Sequence, residues 1–290
     1  MIYQKITLNE HAELTAMVLD PSVSFRVYQK RPAVIICPGG AYLIHATKEG
    51  EMIAHEFLSR GYHCFILNYT VGTDREHPEK GFNEAARYPR QAAELLEAIH
   101  IVRSHAEDWY IEPDLIFLMG FSAGAHVCAT AGTRWKDPEL SKQLSFEPEG
   151  GELKAAGMVL GYPMLGDNPA DFMGEEFRGV PKEQLAMTNK VLYGKEAVTE
   201  EEKGAVSLIH RITEDTIPAF IWHSIDDPVI DSRNSTAFIQ ELCRHGIACE
   251  YHLFSRGRHG LGLAEREDGL KEWPELADVW MKHRMKGEHA

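Results

Sequence analysis

The chain has 290 residues, 44% of them hydrophobic, and a formal net charge of −14 from 30 basic and 44 acidic residues. This acidic balance argues against nucleic acid as a partner, because phosphate binding requires clustered Lys and Arg. The length and the apolar fraction are sufficient for one large α/β domain, which we expect to span residues 1–290.

Apolar segments alternate with helical ones along most of the chain. Residues 14–19 and 24–27 are predicted to form an antiparallel hairpin joined at Asp20-Pro21. Further strands are predicted at 33–37, 64–69, 115–119, 156–160, 219–223 and 250–254. Helices are predicted at 47–59, 89–104, 125–131, 232–244 and 270–283. Apolar runs separated by helices indicate an α/β fold, with a mostly parallel sheet of about eight strands and helices on both faces.

One segment interrupts this alternation. Residues 165–207 contain no clear strand pattern, and acidic, Gly- and Pro-rich pieces mix there with short helical stretches such as 181–192. A loop region of this length inside a compact domain is usually functional. We predict that residues 165–207 form a small lid or cap over the strand ends; the alternative is a peripheral helical decoration.

The pentapeptide Gly120-Phe121-Ser122-Ala123-Gly124 lies between a predicted buried strand and a small-residue helix. A G-x-S-x-G in this position is typical of a nucleophile elbow, in which a sharp turn presents the serine hydroxyl at the sheet edge. The glycines are required because larger side chains would collide with the neighbouring strand and helix. The motif therefore predicts Ser122 as a nucleophile.

A serine nucleophile needs a base and a carboxylate that orients the base, in the chain order Ser, Asp or Glu, His. Asp226 and Asp227 follow the strand at 219–223, and we prefer Asp227, with Asp226 as the alternative. His259 lies between glycines a few residues after the last predicted strand. This position selects His259 as the base among 15 histidines.

Acyl transfer builds negative charge on a carbonyl oxygen, which preorganised backbone amides stabilise. One donor is predicted to be the amide of Ala123, directly after the serine. The Gly-rich segment after the strand at 33–37 predicts Gly40 and Ala41 as the other donors. This segment has neither the P-loop ending nor the three-glycine spacing of a dinucleotide site. No cluster in the sequence has convincing metal-ligand spacing, so neither a metal nor a cofactor is expected.

Four stretches give the sequence its likeness to a known family. They are Cys37-Pro38-Gly39-Gly40-Ala41-Tyr42, Gly120-Phe121-Ser122-Ala123-Gly124-Ala125-His126, Trp222-His223-Ser224-Ile225-Asp226-Asp227, and Gly257-Arg258-His259-Gly260-Leu261-Gly262-Leu263. Together they make the chain resemble the α/β-hydrolase superfamily, and within it the bacterial carboxylesterases grouped with acetyl-xylan esterases and feruloyl-esterase-like (BD-FAE) proteins. The resemblance implies that the second Asp of the pair belongs to the triad, which supports Asp227. Ala41 and Ala125 stand where the family usually has glycine.

The motifs and the resemblance together lead us to expect a serine carboxylesterase that hydrolyses short-acyl esters, above all acetyl esters, including those of sugars or oligosaccharides. We call residues 38–41, which follow the strand at 33–37, the oxyanion segment. Tyr42 and His45, just past this segment, are predicted to line the substrate pocket. The same motifs and fold leave open three alternatives: a small-amide hydrolase such as a formamidase, a peptidase, or a non-catalytic ligand-binding homologue. The expected partner is a small-molecule ester; the oligomeric state is left open.

The cysteines and the N-terminal sequence bear on the compartment. The five cysteines, an odd number, are Cys37, Cys64, Cys128, Cys243 and Cys249. Four of them lie in apolar stretches, which favours buried, reduced thiols. The first residues contain no apolar segment of a signal peptide, and no run approaches the roughly 20 apolar residues of a membrane span. We therefore expect a cytoplasmic protein without a membrane partner.

Overall fold

The computed structural model describes residues 1–20, 30–74, 77–166 and 181–287. Eight strands of this described part form one sheet, in the order β1-β2-β4-β3-β5-β6-β7-β8. β1 and β2, and β2 and β4, pair antiparallel, whereas all other neighbours pair parallel. The strands are β1 (Ile2–Asn9), β2 (Ala12–Val18), β3 (Arg31–Cys37), β4 (His63–Asn68), β5 (Ile111–Phe121), β6 (Gly157–Gly161), β7 (Ala219–Ser224) and β8 (Cys249–Phe254).

The helices follow the strands as the alternation predicted. They are α1 (Glu51–Ser59), α2 (Arg90–Ser104), α3 (Ala123–Arg134), α4 (Pro138–Ser141), α5 (Lys182–Tyr193), α6 (Glu200–Lys203), α7 (Arg233–Arg244) and α8 (Trp273–Met285). Short 3₁₀ turns precede α1 and α8, at Thr47–Glu49 and Leu270–Glu272. Within the described ranges, no helix is both long enough and apolar enough to cross a membrane.

The first hairpin differs from its prediction. β2 pairs with β1 through a tight turn at residues 10–11, with Asn9 Oδ1 accepting from the amide of His11 at 2.9 Å. β4 occupies the other side of β2; residues 24–27, the predicted partner in the hairpin, lie outside the described part. β1 escaped prediction because it is a largely exposed edge strand in which half of the residues are polar.

The central strands have two buried faces, and successive side chains enter different cores. Ile35 and Leu118 pack in the layer that α2, α3 and α7 cover. Val34 and Phe117 pack in the opposite layer, which α1 and α8 cover. This period of two on a continuously apolar run is the pattern of a sheet covered on both faces.

The parallel strands point the same way, so their carboxyl ends meet at one edge of the sheet. The segments that follow β3, β5, β6, β7 and β8 therefore converge there. In open α/β sheets this edge is the usual place for a ligand site. Of the 165–207 segment, the described part includes α5 and α6 but not residues 167–180, and the lid role remains a prediction.

The two-layer packing can be tested with one substitution made in two environments. Leu118→Ala removes a fully buried side chain from the central strand, whereas Leu253→Ala removes a side chain that is 44% exposed on the edge strand β8. We expect the first to lower the free energy of unfolding by about 2–5 kcal/mol and the second to change it by no more than about 0.5 kcal/mol. Urea denaturation followed by fluorescence measures both. Equal losses would contradict the assigned strand register.

Candidate active site

Three side chains singled out from the sequence meet at the carboxyl edge of the sheet. Ser122 directly follows β5, Asp227 lies three residues after β7, and His259 lies five residues after β8. The Nε2 atom of His259 is 2.8 Å from Oγ of Ser122, and its Nδ1 atom is 2.8 Å from Oδ2 of Asp227. The structure thus brings together one hydroxyl, one imidazole and one carboxylate in hydrogen-bonding order.

The turn at Ser122 has the strained backbone of an elbow. Its φ is 52° and its ψ is −117°, a conformation that residues with a side chain rarely adopt. The amide of Ser122 donates to the Gly161 carbonyl of β6 at 3.0 Å. A Cβ at Gly120 would lie 2.7 Å from the nitrogen of Ala125, and a Cβ at Gly124 would lie 2.5 Å from the Pro38 carbonyl oxygen. The flanking positions therefore have no room for a side chain.

The Asp227 carboxylate is almost fully buried and receives four hydrogen-bond contacts. Its Oδ1 accepts from the amides of Val229 and Ile230 at 2.8 and 3.0 Å. Its Oδ2 is shared by His259 and by Nε2 of His223, which is 3.1 Å away. Burial by itself raises the pKa of Asp227, but the hydrogen bonds from His223 and His259 outweigh it and hold this pKa well below its ordinary range.

Asp226, the alternative carboxylate, is exposed on the same loop. Its neighbour Asp227 contacts the imidazole of His259, so the geometry favours the preferred residue of the pair. His223 was part of the quoted motif but was not predicted to act at the site. It is completely buried, and its Nδ1 lies 2.8 Å from the hydroxyl of Ser235. Its Nε2 contacts the same Oδ2 atom of Asp227 that His259 contacts.

The segment after β3 passes close to the serine. A Cβ at Gly39 would lie 3.0 Å from the Cβ of Ser122. The amides of Gly40 and Ala41 have no acceptor within the described part of the chain. The amide of Ala123 begins α3, where no intrahelical acceptor exists. The three predicted donors are thus without a backbone acceptor in the described part, and their role as oxyanion donors remains a prediction.

Ala41 has a left-handed backbone although alanine disfavours it. Its φ is 57°, and that of the following Tyr42 is 64°. The carbonyl oxygen of Ala41 accepts a hydrogen bond at 3.0 Å from the hydroxyl of Thr188, which lies on α5. The chain thus keeps at this position the conformation that a glycine would favour, and α5 helps to hold it.

The structure corrects the substrate-binding prediction for Tyr42. Its side chain is 0% exposed, and its hydroxyl pairs with Nδ1 of His126 at 2.7 Å. Tyr42 therefore supports the loop from the interior instead of lining an open pocket. His45 is half-buried, with Nε2 2.9 Å from the Tyr69 carbonyl oxygen, and burial lowers its pKa to about 4. His45 also lines a surface groove, so its predicted contact with substrate remains a prediction.

Two further buried groups lie at the site without having been predicted. Glu49 accepts hydrogen bonds from the amide of Gly39 at 2.8 Å and from the hydroxyl of Tyr162 at 2.6 Å. The ring of Tyr162 packs on the imidazole of His259, with centroids 4.9 Å apart. The sequence signal for Glu49 is weak, since an acid near the start of a helix is ordinarily solvated.

Comparison with known families identifies the family of this chain. The BD-FAE family model matches residues 23–242, which include Ser122 and Asp227 and end before His259. The chain belongs to the BD-FAE family. Its fold is that of the α/β-hydrolases, as its solved structural neighbours also show.

Relatives that resemble this chain include ester hydrolases. Endo-1,4-beta-xylanase B of Butyrivibrio fibrisolvens is 28% identical over 82% of this chain and 34% of its own length. Esterase LipQ of Mycobacterium tuberculosis is 25% identical over 81% of this chain and 52% of its own length. The chain thus spans between a third and about half of these curated relatives.

Solved structures match over almost their full length. The carboxylesterase Cest-2923 of Lactobacillus plantarum has a TM-score of 0.79 and 27% identity, with coverage of 100% of this chain and 99% of that one. The acetyl ester-xyloside bifunctional hydrolase of Caldicellulosiruptor lactoaceticus has a TM-score of 0.73 and 27% identity, with coverage of 99% and 97%.

Because the chain packs closely at the elbow, we expect a Gly→Ala substitution there to lower the free energy of unfolding, which is the opposite of the usual effect in a helix. Gly→Ala inside a helix normally stabilises by up to about 1 kcal/mol. Gly204→Ala, in open space at the end of α6, should behave in this way or be neutral. Gly124→Ala should instead lower the free energy of unfolding, because its Cβ would collide with the carbonyls of Cys37 and Pro38.

Thermal and chemical unfolding of the two variants measure this contrast. If Gly124→Ala is as stable as Gly204→Ala, the elbow and the segment after β3 are not packed as described.

Proposed function

We propose that this chain is a serine carboxylesterase, with Ser122 as nucleophile, His259 as base and Asp227 as the orienting acid. The observation that carries the proposal is the continuous line of hydrogen bonds, each 2.8 Å long, from Ser122 through His259 to Asp227. A serine hydroxyl is a weak nucleophile until an oriented base accepts its proton. This arrangement supplies both the base and its orientation.

In the proposed first step, Oγ of Ser122 attacks the ester carbonyl carbon while Nε2 of His259 takes the hydroxyl proton. The Nδ1–H of His259 donates to Asp227, which selects the tautomer with a free Nε2. Because the pKa of Asp227 lies well below its usual range, the carboxylate stays ionised and stabilises the imidazolium that forms. The negative carbonyl oxygen then faces backbone amides.

The amides proposed for this oxyanion hole belong to Gly40, Ala41 and Ala123. Each donor of this kind typically lowers the barrier by about 3–4 kcal/mol. Collapse of the tetrahedral intermediate expels the alcohol, which takes its proton from His259. Water, activated by His259, then attacks the acyl-enzyme, and Ser122 recovers its proton as the carboxylic acid leaves.

For the substrate class we propose short-acyl esters, in particular acetyl esters of sugars. One structural relative that matches over almost its full length is an acetyl ester-xyloside bifunctional hydrolase, and one sequence relative is a xylanase.

A substrate panel tests the proposed activity. Purified chain is assayed with p-nitrophenyl acetate, p-nitrophenyl butyrate, acetylated xylo-oligosaccharides, an N-formyl aromatic amine and an aminoacyl anilide. We expect turnover of the acetyl esters, stoichiometric labelling by a serine-directed phosphonate, and loss of both in Ser122→Ala, which stays folded. Turnover of the anilide alone, or unlabelled and inactive wild-type protein, would refute the esterase assignment.

The two adjacent aspartates provide a matched pair for the role of the acid. Asp227→Asn should lower kcat by about 10⁴-fold, because an amide no longer selects the reactive tautomer of His259. Asp226→Asn removes an exposed carboxylate and should leave kcat close to wild type. Steady-state kinetics on p-nitrophenyl acetate measures both. A larger loss in Asp226→Asn than in Asp227→Asn would reverse the assignment.

A further inference from the structure

The carboxylate of Glu49 lies buried beneath the site. The residue is only 2% exposed and ends the 3₁₀ turn Thr47–Glu49 before α1. One oxygen accepts from the amide of Gly39 in the oxyanion segment, and the other accepts from the hydroxyl of Tyr162. A Cβ at Gly39 would lie 2.7 Å from the Glu49 carboxylate, so the glycine is needed for this approach.

Tyr162 links Glu49 to residues 257–262, the segment that contains His259 and is called the histidine segment below. It directly follows β6 with a φ of 36°, and its side chain is buried. Besides donating to Glu49, its hydroxyl accepts from the amide of Gly262 at 3.2 Å. A single chain of hydrogen bonds therefore joins Gly39, Glu49, Tyr162 and Gly262, and so joins the oxyanion segment to the segment that contains His259.

The pattern of donors is that of an ionised Glu49. Both of its oxygens accept, and the hydroxyl hydrogen of Tyr162 is directed to it because the Gly262 amide occupies the acceptor side of that hydroxyl. Within the described ranges Glu49 forms no ion pair with Lys or Arg. A buried carboxylate without a cation is expensive. Burial raises the pKa of Glu49, while the hydrogen bonds from Tyr162 and Gly39 and the charge of His259 oppose the rise.

We propose that Glu49 is a positioning residue that, with Tyr162, fixes the oxyanion segment relative to His259 and stabilises the imidazolium formed during acyl transfer. This inference rests on the proposed esterase function. Its physical basis is that the amides must lie where the oxyanion will be while the imidazole stays on the serine, and an error of about 1 Å is enough to lose rate. One buried carboxylate linked to both segments meets this requirement.

The charged and titratable groups around the His259 imidazole determine how stable its protonated form is. Asp227 and Ser122 contact the two ring nitrogens directly, and Tyr162 packs on the ring face. Further charged or titratable groups on the adjoining segments are His223, behind Asp227, Lys48, beside Glu49, and Arg256 and Arg258, on the histidine segment itself. Asp227 and Glu49 are the buried acids on these segments, whereas Asp226 is exposed. Removing the charge of Glu49 should therefore make the imidazolium less stable.

The test uses Glu49→Gln and Tyr162→Phe with a matched control pair. Asp278 and Tyr62 form a buried tyrosine–carboxylate contact away from the site, with the tyrosine hydroxyl 2.7 Å from the carboxylate, although Asp278 also pairs with Lys282 and Arg60. Glu49→Gln should lower kcat by about tenfold or more with little change in KM, whereas Asp278→Asn and Tyr62→Phe should leave kcat near wild type.

Two further readouts separate positioning from general destabilisation. The acidic limb of the kcat/KM profile should move to lower pH in Glu49→Gln, because loss of a buried negative charge makes the protonated imidazole less stable. The double variant Glu49→Gln/Tyr162→Phe should lose no more than Glu49→Gln alone, since both belong to one chain of contacts. Glu49→Asp keeps the charge. Its kcat/KM profile should therefore have the same acidic limb as the wild type, even if its kcat is lower.

An NMR titration of the His259 imidazole in wild type and Glu49→Gln measures the charge effect without any substrate. A lower pKa in the variant supports the inference even if the ester panel shows no turnover, which would refute only the proposed esterase function. Wild-type kcat and an unmoved His259 titration in a folded Glu49→Gln would overturn it, as would equal kcat losses in the Asp278 and Tyr62 controls. If Glu49→Gln does not fold, Tyr162→Phe and Glu49→Asp decide the outcome by the same measurements.

Discussion

The close approach of α3 to the segment after β3 is the constraint on which the site depends. Gly124 lies against the carbonyls of Cys37 and Pro38 at a distance that excludes a side chain. This contact places the first turn of α3, and with it the amide of Ala123, beside the segment that contains Gly40 and Ala41. The left-handed backbone of Ser122 follows from the same geometry, because the chain must reverse from β5 into α3 within one residue.

Buried charge is the second feature of this edge. Asp227 and Glu49 are both removed from water, and neither forms a pair with Lys or Arg in the described part of the chain. Asp227 is stabilised by two histidines and two backbone amides. Glu49 is stabilised by one amide and one tyrosine hydroxyl. Burying polar groups in this way is tolerable only when each receives hydrogen bonds, and such groups concentrate where function requires them.

The strands after the first hairpin, and the three side chains that meet at the sheet edge, could be predicted from the sequence alone. Those predictions depended on local signals: apolar runs, glycines at a sharp turn, and polar residues directly after strands. The roles of Glu49 and His223 depend instead on contacts between distant segments, and no local pattern distinguishes them from solvated residues. Tyr42 was misassigned for a similar reason, because adjacency to the oxyanion segment does not reveal on which side of the loop a side chain lies.

The hydrogen bond from the Thr188 hydroxyl to the carbonyl of Ala41 joins α5 to a residue whose backbone has an unfavourable positive φ. A substitution in α5 can therefore alter the backbone of the residue next to Gly40 without any change at the sheet edge itself. Residues of α5 are thus a means of adjusting the backbone of the segment after β3. This segment can change in such a way while Ser122, His259 and Asp227 keep their own contacts.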